Sequence, residues 1–207
     1  FFILSSQYIG AVGARIRPEI ESDDRRRLSI GRFSGDETGE FVRRRGLRVD
    51  GETLQLIQER SEGIPLYLHY ITAELLDLPS NEYIYRKYLE ELPVLEKVEI
   101  DTYHAFLYRT VEDDDHAIWI LSILANRREY TSPETLEALL RLIGVETDRL
   151  RIEKVLTRFR HVLRSVEERG FSIFHNSFRE FLLRKTASLS EAINNGIIQF
   201  YRANPAS

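Results

Sequence analysis

Ser61-Glu62-Gly63-Ile64-Pro65-Leu66-Tyr67-Leu68 joins two apolar segments through a corner of special backbone, and its reading decides the fold. Upstream, Leu54, Leu56 and Ile57 recur at helical spacing, so Thr53–Arg60 is expected to be a helix. Gly63 falls where a helix C-terminus favours positive φ, which a residue without a Cβ adopts freely. Pro65 then suits the first position of a new helix, where no N–H is needed and φ is already set. From Pro65 to about Leu76, Leu68, Ile71, Thr72 and Leu75 repeat at helical spacing, and Leu66, Tyr67 and Tyr70 leave little polar surface. That pattern predicts a buried helix. Its unpaired first N–H groups would make the corner a seat for an anion or a nucleotide. Taken alone, the corner reads first as a helix–helix turn punctuated by Gly and Pro.

The composition narrows the function classes. The 207 residues are enough for one large domain or two small ones, and 43% hydrophobic content can fill real cores. Charged residues make up 30% and the net charge is −4, so no overall basic field draws nucleic acid. The absence of Cys excludes disulfides, thiolate catalysis and Cys-based metal sites, and agrees with the expected cytoplasmic location. Phe1-Phe2-Ile3-Leu4 is too short for a signal core and no apolar run reaches the length of a membrane span, so no membrane partner is expected. With no Met anywhere, the sequence reads as a piece of a longer protein.

Taken in order, Phe1 to Leu4 followed by Ser5-Ser6-Gln7 has the pattern of a buried parallel strand with a polar C-terminal end, where open α/β sheets bind ligands. Arg15–Arg27 reads as a solvated loop, Leu28 to Phe33 as a short strand or turn, and Ser34-Gly35-Asp36-Glu37 as a helix start carrying Phe41 and Val42. Arg43-Arg44-Arg45-Gly46 should end that helix on the solvent side. After the corner, Glu82–Leu92 is expected as a helix ended by Pro93, with its tyrosines packed in the core. Asp101 is expected to cap Thr102–Val111, with Tyr103, Phe106 and Leu107 inward.

Three more helices follow: His116–Ala125 behind the acidic turn Glu112-Asp113-Asp114-Asp115, one opened by Ser132-Pro133 and closed by Gly144, and one capped by Asp148. The last should carry Leu150, Val155, Leu156, Phe159, Val162 and Leu163. Val166, the turn Glu168-Arg169-Gly170 and Phe171–Phe174 then make a hairpin. Three helices followed by a hairpin is the winged-helix order. Arg151, Lys154 and Arg158 line the third helix, with Arg160 and Arg164 nearby, as in a helix that reads DNA. Net negative charge and Glu153 within the stripe favour a solvated or internally paired face instead. Ser177 and Glu180 have capping-box spacing, which starts the next helix at Phe178 and leaves His175 at a strand end with a ring N–H to offer.

The corner S-x-G-x-P-L-Y-L resembles the Gly-x-Pro motif in the lid of STAND ATPases, the NB-ARC- and NACHT-type relatives of AAA+ proteins. Phe174-His175-Asn176 resembles the Met-His-Asp motif of the winged helix in the same family. The resemblance implies a mainly α fold, a helical lid followed by a winged helix, with a short remnant of an α/β nucleotide-binding core. Residues 1–46 would end that core, 47–111 form the lid, 112–188 the winged helix, and 189–207 begin a following helical region. Gly63, Pro65 and Leu66 would lie against an adenine nucleotide, and His175 would touch the β-phosphate of ADP. Gln7 stands where the family has a sensor arginine, and Gln supplies no cationic fork. ADP or ATP, with Mg in a protein that carries the whole site, would be the cofactor. The partners implied are the nucleotide-binding core of the same chain and further copies on activation, with DNA a less favoured partner. The 207 residues contain no G-x-x-x-x-G-K-[ST] loop, so alone they should not hydrolyse ATP.

Overall fold

The computed structural model describes residues 31–93 and 100–204, and among them are ten α-helices and one two-stranded antiparallel sheet. The protein is mainly α, as the sequence predicts. Gln7, the Phe1–Leu4 strand and most of the expected Leu28–Phe33 element lie outside the described residues.

Polar residues cap most of the helices, and the one expected over Thr53–Arg60 starts earlier, at Gly51. α1 (Gly35–Arg44) opens on a capping box in which the Glu37 carboxylate accepts from the Ser34 N–H at 2.8 Å. Asp50 caps α2 (Gly51–Ser61) and Asn81 caps α4 (Glu82–Glu91). α5 spans Ile100–Arg109. Asp114 caps α6 (Asp115–Asn126), Ser132 caps α7 (Pro133–Ile143), and Asp148 caps α8 (Arg149–Arg158). β1 (Leu163–Val166) pairs with β2 (Gly170–Ile173), Leu163 facing Ile173. Thr131, ahead of α7, adds a single antiparallel bridge to Phe171, and the Thr131 carbonyl lies where a Cβ on Gly170 would stand. α9 (Asn176–Lys185) and α10 (Ser190–Ala203) complete the chain, with α10 packed along α7 and α6.

The corner after α2 is tighter than a single glycine cap. Glu62 takes the left-handed conformation first, at φ 48°, and Gly63 follows at φ 70°. Phe33 donates its N–H to the Gly63 carbonyl at 2.7 Å, and a Cβ on Gly63 would lie 2.1 Å from the Phe33 oxygen. Gly63 is therefore required twice, by its own φ and by the chain that lies on it. α3 (Pro65–Asp77) then runs through the core with Tyr67, Leu68, Tyr70, Ile71, Thr72 and Leu75 buried. Tyr103 of α5 packs against it, its ring 4.6 Å from Tyr67 and 5.5 Å from Tyr70.

Four expectations need correction. Asp101 lies inside the first turn of α5, and its carboxylate meets His104 and Arg184. Tyr83 is 76% exposed, because α4 turns Tyr85 and Leu89 to the core. Leu150 is 61% exposed, because Ile152, Val155 and Leu156 set the inner face of α8 and a residue two before Ile152 points away from it. Phe159, Val162 and Leu163 are buried but follow the helix, whose last residue is Arg158.

Gly63→Ala should destabilise the protein far more than Gly46→Ala. Both glycines have positive φ, but a Cβ on Gly46 meets nothing within 4 Å. Gly46→Ala should cost about 1–2 kcal/mol for the left-handed backbone alone. Urea unfolding of both variants checks this, and equal losses would remove the role given to Phe33.

Candidate functional site

Two stretches more than a hundred residues apart meet here. One turn after Pro65, the ring of His69 stacks on Phe174 at 4.3 Å and 11°. Phe174 is the residue before His175. Further along α3, Glu74 meets Nδ1 of the buried His161, and Asp77 meets Arg160. The His69 side chain is held neutral by burial and the positive charge of Arg45, its pKa lowered to about 4. A neutral ring suits face-to-face stacking on Phe174. Pro65 and Leu66 are half-buried at the start of α3, which has no side-chain N-cap among the described residues. The space over Gly63 is filled by the Phe33 backbone, whose carbonyl also accepts from Gln58 at 3.2 Å.

His175 is the N-cap of α9. Its Nδ1 accepts from the Ser177 N–H at 3.2 Å, and the Ser177 hydroxyl lies 2.9 Å away. The expected capping box does not form: α9 begins at Asn176, Ser177 is buried in its first turn, and Glu180 takes the Asn176 amide at 2.5 Å. The imidazole supplies the acceptor that the serine would have supplied. With Nδ1 accepting, the neutral ring carries its proton on Nε2. Burial holds the His175 pKa below its ordinary value, against the pull of Glu180.

His175 lines a cleft of about 500 Å³ together with Arg127, Arg128, Arg164 and Arg179. Sequence reasoning passed over Arg127, Arg128 and Arg179. The adjacent pair Arg127-Arg128 directly after an apolar helix was the available sign, but nothing local ties it to Arg179. The arginine stripe on α8 is taken up within the chain: Arg151 binds Asp114 at 3.1 Å, Arg158 donates to the Thr110 carbonyl at 2.7 Å, and Arg149 bridges Glu134 and Glu153. Among the described residues no group of three or more His, Asp or Glu could hold a metal ion, and no helix is long and apolar enough to cross a membrane.

Comparison with protein-family models, curated proteins and solved structures finds no match to this chain. Any functional reading therefore rests on the geometry and on the motifs.

Because Nδ1 must be unprotonated to cap α9, the cap is acid-sensitive. The folded pKa lies below the unfolded one, so this stability is complete above about pH 6.5 and is lost as the pH falls through the folded value. His175→Ala should cost about 0.5–2 kcal/mol at pH 7.5, and His175→Asn should restore most of it while losing less on acidification. Buried His104, with its pKa lowered to about 4 by burial, adds acid sensitivity of the same sign in every variant. Urea midpoints between pH 7.5 and 5 measure both effects, and identical profiles for all three proteins would contradict the cap.

Proposed function

We propose that this chain is the lid and winged-helix part of a STAND-type nucleotide-gated switch. α6, α7 and α8 followed by the β1–β2 hairpin have the winged-helix order, and α2 to α5 form the lid. One observation carries the reading: the stack of His69 on Phe174, which brings the Pro65 helix and the His175 strand end into one place. In the resting state the adenine nucleotide lies against Pro65 and Leu66, and the neutral His175 offers its Nε2–H to the β-phosphate. Exchange for ATP releases the winged helix from α3, and further copies of the chain assemble on the released surface. The contacts to be broken are those of His69, Glu74 and Asp77 with Phe174, His161 and Arg160.

The reading requires a core with a phosphate-binding loop and the Mg ligands, which these 207 residues do not contain, and it places the switch in the cytoplasm. The chain alone is no ATPase in this account. DNA binding ranks lower, because Arg151 and Arg158 are already paired inside the chain.

A bond from His175 to phosphate is worth about 1.5–3 kcal/mol, enough to move a closed equilibrium by about one to two orders of magnitude. Supplied with such a core, the protein with His175→Asn, which keeps the α9 cap, should bind ADP about 10- to 100-fold more weakly and assemble without its trigger. Pro65→Ala should weaken ADP retention with little effect on folding. Calorimetry with ADP and light scattering read the two effects. Unchanged ADP affinity in both variants would return these residues to purely structural roles.

A further inference from the structure

We propose that the cleft between the end of α6, the β1–β2 hairpin and the start of α9 is a binding site for a small phosphorylated ligand, anchored on Arg127. This goes beyond the motif-based reading of His175, because no motif covers the four arginines.

Arg127 is the anchor because it is buried and incompletely paired. Its side chain is 9% exposed. Nη2 donates to the Tyr201 hydroxyl at 3.0 Å and reaches Glu129 at 3.4 Å, and the guanidinium lies 5.3 Å over the Tyr201 ring. Nε and Nη1 have no hydrogen-bond partner within the described chain. Arginine stays charged, so leaving two of its donor nitrogens buried and unpaired is unfavourable unless an acceptor enters the cleft.

The surrounding groups have the same sign. Arg128 makes no ion pair among the described residues, is exposed, and lines the cleft. Arg179 donates Nε to the Ala125 carbonyl at 2.6 Å, and burial and the charge of Arg128 both work against its protonated form. The Arg164 guanidinium lies 5.4 Å over the Phe174 ring. Two carboxylates that act on these arginines are engaged: Glu129 accepts from the Tyr201 hydroxyl at 2.9 Å and Glu180 from Asn176. Four arginines thus line one cleft in a chain whose net charge is −4. The positive end of the α9 dipole and the Nε2–H of His175 add to the same field.

The chemistry selects a phosphoryl group over a carboxylate. A phosphate presents three acceptor oxygens and up to two charges, which matches several guanidinium forks better than one carboxylate does. A volume of about 500 Å³ is in the range of small-molecule pockets and exceeds a lone phosphate, so a diphosphate or a phosphorylated small molecule fits it.

Titration of the 207-residue chain with inorganic pyrophosphate by calorimetry is the test. Binding in the micromolar to sub-millimolar range is expected, weakened about 10-fold or more by Arg128→Gln and unchanged by Arg151→Gln on α8. Arg127→Gln should abolish it, and Arg128→Gln, at an exposed position, keeps the test valid if Arg127→Gln does not fold. No pyrophosphate binding at 10 mM, on the order of a negligible affinity, would overturn the site. So would equal loss in Arg128→Gln and Arg151→Gln, or displacement by duplex DNA at lower concentration with a steep salt dependence, which would assign the arginines to a nucleic-acid backbone. An ADP arm separates the two proposals. Pyrophosphate binding to the 207-residue chain, together with unchanged ADP affinity of His175→Asn in the protein supplied with a nucleotide-binding core, would keep the phosphoryl site and remove the nucleotide reading.

Discussion

The burial of α3 is the constraint on which the rest of the described structure depends. A helix with Tyr67, Leu68, Tyr70, Ile71 and Leu75 all at 0% exposure must be surrounded on nearly every side. Its start is aimed by two consecutive left-handed residues, and the second of them carries the Phe33 backbone, so α3 cannot be re-aimed without moving the entry of the chain. Its exit half meets the segment leading into β1 through two polar contacts, Glu74 with His161 and Asp77 with Arg160. α3 is thus both the centre of the core and the surface on which the hairpin region rests.

That double role gives the proposed switch its physical form. Tyr67 and Tyr70 hold α3 by apolar area and aromatic packing, terms that a change of nucleotide does not alter. The contacts of His69, Glu74 and Asp77 are of another kind: one stack and two polar pairs at the edge of the core. Interactions of that size can be outweighed by the differential binding of a ligand, whereas the tyrosine core cannot. The placement of His175 follows the same logic. One ring nitrogen is committed to capping α9, and the other is left to act outward.

Much of this was legible in the sequence because it is local. Ser34, Ser132-Pro133, Asp148 and Gly144 punctuate helices through groups within four residues of themselves, and the structure has each of them in that role. The long-range features were not legible. Nothing near His104 in sequence says that Phe178 and Phe181 close over it, and nothing near Arg127 names Tyr201 or Arg179 as neighbours. His175 shows how a local rule is overruled: Ser177 and Glu180 have the right spacing, but an imidazole two residues earlier offers the better acceptor and starts the helix sooner. Leu150 failed for a simpler reason, since an apolar residue at a helix start is inward only if its angle agrees with the rest of the face.

The central claim is that the neutral ring of His175 caps α9 through Nδ1 and presents Nε2–H to a phosphate. Nitrogen-15 spectra of the histidine rings in the protein supplied with a nucleotide-binding core, assigned with His175→Asn, test it most directly. The account predicts the Nε2–H tautomer at pH 7.5, an Nε2 resonance that moves on addition of ADP but not of adenosine, and an Nδ1 resonance that stays put. An Nδ1–H tautomer, or an Nε2 signal indifferent to saturating ADP, would contradict it.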